Sequence, residues 1–269
     1  MKYFDAHTHV QFVAFDQDRE EVIARTIENE VGMNIVGTQY DTSAAAVTLA
    51  EKYEGAYASV ALHPIHTGKS FHDSKELGEG GKEFTSRGEQ FDAPKYEALA
   101  QSPKVIAIGE CGLDYYRLDE ATATVQKRVF LEHIELANKL EKPLMLHIRQ
   151  AYKDSLELLK AHAKVRGDVH FFAGNWEEAK QFLDLGFTLS FTGVVTFTHD
   201  YDEVVKNTPL EMILSETDAP YVTPAPYRGK RNEPMYVKEV VAKIAEIKGL
   251  PQEEVRSQML KNAQKVFNF

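Results

Sequence analysis

Val105-Ile106-Ala107-Ile108, the stretch 124–140 and Leu144-Met145-Leu146 together decide the fold. The first and last are short apolar runs of strand length. Between them Phe130, Ile134, Ala137 and Leu140 recur at helical spacing, one face of an amphipathic helix. Strand, helix and strand in that order is the repeating unit of parallel α/β architecture. Moving outward, similar apolar runs occur at 2–4, 34–37, 56–61, 169–172, 187–191 and 212–214, which makes eight strand candidates. Eight such units in 269 residues, close to the roughly 250 typical of a (β/α)8 barrel, favour one TIM-barrel domain over 1–269 rather than an open sheet. Residues 66–92, with Gly78, Gly80, Gly81 and Gly88 among charges, exceed an ordinary loop and read as a lid inserted after strand three. Segments 234–249 and 251–267 read as closing helices.

Composition narrows the function. Hydrophobic residues at 43% and charged residues at 27% are ordinary for a globular protein, and no run approaches the roughly 20 apolar residues of a membrane helix. The N-terminus has no apolar leader, so a cytoplasmic location is expected. Cys111 is the only cysteine, which leaves any metal to imidazoles and carboxylates. A net charge of −10 argues against a broad electrostatic track for nucleic acid, so phosphate recognition has to be local. Two divalent cations would add about four positive charges inside one cavity and reverse the potential there.

In a barrel the chemistry sits at the C-terminal strand ends. The residues at those ends are Asp5, His7 and His9 for strand one and His63 for strand three. Strand four supplies Glu110, strand five His147 and Arg149, strand six His170, and strand eight Glu216 and Asp218. Spacing by two turns Asp5, His7 and His9 into the barrel interior, so two imidazoles converge there. A cavity of imidazoles and carboxylates without a cation would be costly to desolvate.

Asp5-Ala-His7-Thr-His9, Leu62-His63-Pro64, Gly109-Glu110-Cys-Gly-Leu-Asp114, Pro143-Leu-Met-Leu-His147-Ile-Arg149, His170-Phe-Phe-Ala-Gly174, Glu216-Thr-Asp218-Ala-Pro220 and Arg228-Gly-Lys-Arg-Asn232-Glu-Pro234 resemble, in order, the motifs of TatD-type metal-dependent deoxyribonucleases of the amidohydrolase superfamily. The resemblance spans essentially the whole chain. It implies a TIM barrel and metal-dependent hydrolysis of nucleic acid, with Glu110 bridging two metal positions. One position would use His7, His9, Glu110 and Asp218, and the other Glu110, His147 and His170. Glu110 and Asp218 would be the catalytic carboxylates. Two departures stand out: the strand-six motif usually reads His-Cys-Phe-Ser-Gly, and the insertion after His66 is longer than usual.

The side-chain chemistry agrees with this resemblance. Imidazole and carboxylate donors suit zinc, manganese, iron or nickel, with magnesium suited only to the carboxylate-rich position. A carboxylate bridging two ions about 4 Å apart places between them a water acidic enough to supply hydroxide at neutral pH. Lys104 lies at the wrong end of its strand to serve as a carbamylated bridge. The leading expectation is a 3′–5′ exonuclease that attacks a single-stranded DNA or RNA end through metal-bound hydroxide, with His63, Arg149 and Arg228 holding the phosphate oxygens. Hydrolysis of a small ester, amide or lactone on the same metals is the enzymatic alternative, and a binding protein with a degenerate site is the third. His66, His72, His133, His162 and His199 are expected to be solvent-facing or locally bonded, Cys111 to be a buried thiol, and Trp176 to pack. Asp114 and Tyr115 either bind substrate or shape a turn.

Overall fold

Parallel strands β1 (Tyr3–Thr8), β2 (Val31–Val36), β3 (Ala56–Val60), β4 (Val105–Asp114), β5 (Leu144–Arg149), β6 (Gly167–Val169), β7 (Thr188–Phe191) and β8 (Ile213–Ser215) pair in chain order. A parallel bridge between Thr8 and Ala219 joins the two edges, flanked by Asp218 N–H to the His7 carbonyl and His9 N–H to the Ala219 carbonyl. The sheet is thereby a TIM barrel. A computed structural model describes the chain except residues 70, 73–83, 87 and 117–119, and except the side chains of 71, 72, 84, 120 and 121.

Helices α1 (Arg19–Glu28), α2 (Tyr40–Lys52), α3 (Ala93–Ala100), α4 (Glu120–Leu140), α5 (Tyr152–His162), α6 (Trp176–Asp184), α7 (Asp202–Asn207), α8 (Val237–Lys248) and α9 (Gln252–Phe267) alternate with the strands or follow them. The periodicity in α4 is borne out: Phe130, Ile134 and Ala137 are buried, and Leu140 packs at the edge of the core. Burying side chains of this size stabilises by roughly 1.5–3 kcal/mol each. Phe4, Ile106, Met145 and Leu214 are each the second residue of a strand, and they cluster with Phe267 of α9. The last helix thus seals the N-terminal end of the barrel and leaves the other end for chemistry.

Several strands depart from the expected bounds: β1 and β5 run on to Thr8 and Arg149, β2 starts at Val31, and the departures of β4 and β6 bear on the site. Strand β4 runs on to Asp114 because residue 112 is glycine: its φ is +142°, and a Cβ there would lie 2.1 Å from the His147 carbonyl oxygen. Strand β6 starts two residues earlier than the apolar run and ends at Val169, since Phe171 takes a left-handed φ of +44°. His170 therefore sits just past its strand rather than on it.

Much of the expected lid lies outside the described residues. Its described parts are more regular than an irregular loop, for Phe71–His72 pairs antiparallel with Phe84–Thr85. Beyond this strand pair, Glu89 pins the segment through its N–H to the His66 carbonyl, while its carboxylate accepts from Tyr96 Oη–H and Tyr40 N–H. Among the described residues no helix is long and apolar enough to cross a membrane.

Candidate metal centre

Three strand ends, those of β1, β4 and β8, deliver the first group of donors. His7 Nε2 and His9 Nε2 are 3.1 Å apart; His7 Nε2 is 3.3 Å from Glu110 Oε2, and His9 Nε2 is 3.4 Å from Asp218 Oδ1. The cross distances are 3.8 and 3.9 Å. Four donors about 2.1 Å from one ion would stand roughly 3.4 Å from one another, so this spacing is that of a coordination shell. The protons point the same way. His9 Nδ1–H is held by the Val36 carbonyl at 2.7 Å, so its Nε2 presents a lone pair to two carboxylates. His7 Nδ1, in contrast, is buried with no hydrogen-bond partner among the described residues. A convergence of lone pairs with too few protons to join them fits a divalent cation.

The second group surrounds the other oxygen of the same carboxylate. Glu110 Oε1 lies 2.9 Å from His147 Nδ1, 3.2 Å from His170 Nε2 and 3.2 Å from His63 Nε2. These three imidazoles are not equivalent. His147 directs its far nitrogen at Asp114 Oδ2, 2.9 Å away, and His170 directs its own at Glu216 Oε1, 3.0 Å away, the carboxylate backing common to metal-ligating histidines. His63 Nδ1 instead accepts the Ile65 N–H, which puts the proton of a neutral ring on Nε2 and makes that atom a donor. Geometry therefore separates His147 and His170, which could hold a cation, from His63, which donates a hydrogen bond.

Residues 4–268 match the family described as TatD related DNase. The chain belongs to the TatD family. It is 37% identical over 269 residues to the uncharacterized metal-dependent hydrolase YabD of Bacillus subtilis, covering 98% of each chain. Identity to the Klebsiella pneumoniae 3′-5′ ssDNA/RNA exonuclease TatD is 32% over 274 residues, covering 98% of this chain and 97% of the other. The crystal structure of YjjV, a TatD homolog from Escherichia coli, superposes with a TM-score of 0.85 at 26% identity, over 100% of this chain and 98% of that one. The protein is thus a metal-dependent hydrolase of the TatD family.

Charge in this TatD-family site is arranged around Glu110. Burial works against its charge, yet His63, His170, His7 and the His147 hydrogen bond outweigh burial and hold its carboxyl well below the usual range. Asp218 is lowered likewise: burial opposes its ionisation, and His9, His170 and His7 favour it more strongly. Burial takes His63 down to about 4 and lowers His7, so both are neutral at physiological pH. Burial also resists charge on His147 and His170, but Asp114 and Glu110 lift His147 to about 9, and Glu216 and Glu110 raise His170. A cation binding there would displace those protons.

Behind the TatD-family ligands lies a buried polar chain. Glu216 accepts from Phe171 N–H at 2.8 Å and meets Ser190 Oγ at 2.7 Å; Ser190 Oγ also meets Asp168 Oδ2 at 2.6 Å, and Thr188 donates to Asp168. One serine hydroxyl carries one proton and cannot donate to two carboxylates, so one of the two acids is protonated. Burial and Glu216 push Asp168 up to about 7, which assigns it the proton. Asp5 is inside the barrel as expected but joins no ligand group; its carboxylate accepts Thr217 N–H, Thr217 Oγ1–H and His7 N–H, and so ties β1 to the Asp218 segment.

Left-handed backbone at Asp218 (φ +55°) and Phe171 (φ +44°), costing about 1–2 kcal/mol each, turns both side chains toward a cavity of about 1000 Å³. His63, Arg149 and Arg228 line the same cavity. The guanidinium of Arg149 lies 3.8 Å over the Tyr116 ring and that of Arg228 3.8 Å over Phe197. Arg231 is committed elsewhere, to Asp18 and Glu233, so the basic run 228–231 is divided between cavity and scaffold.

Asp114 does shape a turn, accepting Tyr116 N–H, but its other oxygen supports His147. Tyr115 hydrogen-bonds Asp154. Cys111 is buried, which pushes its thiol up, and Trp176 packs half-buried against the core. Lys104 Nζ is bound to the Tyr53 and Ala56 carbonyls, away from the centre. His133 is buried and locally bonded and His199 pairs with Asp202, whereas His66 is buried, bonds Ser86 and lines the cavity. The side chain of His72 lies outside the described residues.

Proposed function

We propose that this chain is a nuclease that removes nucleotides from the 3′ end of single-stranded DNA or RNA, using two divalent ions. The observation that carries this reading is the division of the site by Glu110: Oε2 faces His7 and His9, to which Asp218 is also close, while Oε1 faces His147, His170 and the hydrogen-bond donor His63. On that division the two groups would hold one ion each. Zinc or manganese fits the mixed donors of both groups. Such ions supply Lewis acidity toward phosphoryl oxygens and a nucleophilic water at neutral pH.

The chain's own residues then bind and orient the phosphodiester. His63, neutral and with its proton on Nε2, would share that proton between Glu110 Oε1, 3.2 Å away, and a non-bridging oxygen. Arg149 and Arg228 present planar forks suited to phosphate, each restrained by an aromatic face. A relative named as a 3′-5′ ssDNA/RNA exonuclease supports the substrate class. The net charge of −10 supports contact confined to the cavity.

The test is hydrolysis of single-stranded DNA and RNA oligonucleotides by protein stripped of metal and then reloaded with zinc or manganese. Hydrolysis restored by metal and lost in Glu110→Gln and Asp218→Asn is expected. Turnover after exhaustive chelation, or cleavage of small esters with every oligonucleotide left intact, would reject the proposal.

A further inference from the structure

We propose that Phe171 and Phe197 form a nucleobase platform beside the metal centre, a reading that rests on the nuclease function above. The lining of the cavity carries two chemistries: imidazoles and carboxylates around Glu110, with Arg149, and an apolar set that adjoins them, Phe12, Val13, Phe171, Val194 and Phe197. A nucleotide has the same two parts, an anionic phosphodiester and a flat apolar base. The metal centre and the arginines match the first part; the apolar set matches the second, because every base has a π face that stacks on an aromatic ring.

Within that set the aromatic residues differ in availability. Phe12 lies parallel to His9 with ring centroids 4.5 Å apart and an interplanar angle of 6°, so one of its faces is spent on a candidate ligand. Phe197 is 44% exposed even with Arg228 stacked on it. That pairing sets a cation beside an open aromatic surface, as a base with its adjoining phosphate requires. Arg228 is in turn steadied by Nη1–H donation to the Thr223 carbonyl at 2.9 Å.

Phe171 follows His170 directly and lines the cavity half-buried. Its left-handed φ of +44° is unfavourable for a bulky side chain, and its N–H is fixed by the buried carboxylate of Glu216. Backbone strain held in place by a buried acid keeps a large apolar ring at the lip of a polar centre. The ring lines the cavity and makes a T-shaped contact with His170 at 6.1 Å, a position that suits a stacking partner beside the metal centre. Stacking tolerates any base, so the platform binds without sequence preference.

Phe171→Leu, Phe197→Leu and the double substitution keep apolar bulk and remove the π face. Two readouts are used on single strands: quenching of a 3′-terminal 2-aminopurine on binding to metal-free protein, and the ratio of kcat/KM for strands ending in a normal nucleotide or in an abasic residue. Metal content of each variant reports whether the centre is intact. The unaltered protein is expected to quench the probe and to favour the base-bearing end by about tenfold or more, with the quench lost and the ratio falling toward one in the double variant. Persistence of both in the double variant, or equal treatment of the two ends by the unaltered protein, overturns the platform and leaves the nuclease reading standing. Failure of the metal-loaded protein to hydrolyse any strand overturns both.

Discussion

Asp114 Oδ2 lies 2.9 Å from His147 Nε2, on the side of the ring opposite the 2.9 Å contact from Nδ1 to Glu110. Asp114 is itself held in place, for its N–H donates to Gln126 Oε1 and its carbonyl accepts from Gln126 Nε2. The pair fixes the proton of His147 on Nε2 and so leaves Nδ1 for a cation. Asp114→Asn is therefore expected to weaken one of two metal positions by about 10- to 100-fold while sparing the other. Competition titration against a metal chelator reads this directly, and two unchanged affinities would remove Asp114 from the role.

The candidate ligands were legible because barrel strands deliver their ends to one rim, and an apolar run locates each end. Period-two alternation from Glu110 also reaches Gly112 and Asp114, a signal hidden because strand four reads from its apolar run as ending at Ile108. Other roles depend on contacts that only the closed barrel creates. Glu216 meets His170 across 46 residues, and His133 meets Leu62 across 71. No local pattern encodes either contact. The distinction between His63 and the two histidines beside it rests on which ring nitrogen accepts a backbone N–H, and the division of 228–231 rests on where Asp18 and Glu233 lie.

His133 supplies a pH test away from the metal centre. Its Nε2 accepts the Leu62 N–H at 3.0 Å and its Nδ1–H is held by the Val129 carbonyl, so it positions the backbone next to His63 from inside α4. Burial lowers its pKa from 6.5 to about 4. A depressed folded-state pKa gives stability that is fully present above pH 6.5 and lost as pH falls toward 4, because the unfolded chain takes up the proton first. The loss amounts to about 3 kcal/mol. Metal-free His133→Gln should be less stable than the unaltered protein at pH 7.5, with the gap narrowing between pH 6.5 and 4. Thermal melts with a constant gap across that range would sink the assignment.

Arg228 and Arg231 are three residues apart and should fail differently. Arg231 binds Asp18 Oδ2 at 2.7 Å and approaches Glu233, which also holds Arg25 at 2.6 Å. Arg231→Met is expected to lower stability by roughly 1 kcal/mol, the scale of a partly exposed ion network, with little change in kcat. Arg228→Ala gives up its stack on Phe197 and its bond to the Thr223 carbonyl, so some stability is lost here too, but it should in addition raise KM for oligonucleotides about tenfold through loss of a charge-assisted phosphate contact. Parallel melts and steady-state kinetics distinguish the two, and identical behaviour would contradict the division of labour.

The depth of the centre bears on which nucleic acids reach it. His7, His9 and Glu110 are each under 5% exposed, whereas Val13 at 79% and Phe197 at 44% line the cavity from the surface. Duplex DNA is a stiff rod over this length, and its smooth bending costs energy that an acidic surface offers few phosphate contacts to offset. A single-stranded end can thread inward, stack its base and bring its last phosphodiester to the donors around Glu110. An end should therefore be required. With a 5′-labelled linear strand, 3′-to-5′ removal predicts a ladder that shortens with time, while a covalently closed circle of the same sequence survives the same exposure. Cleavage of the circle at the rate of the linear strand would show that no end is needed, and would replace end-threading with internal attack on a flexible loop of the strand.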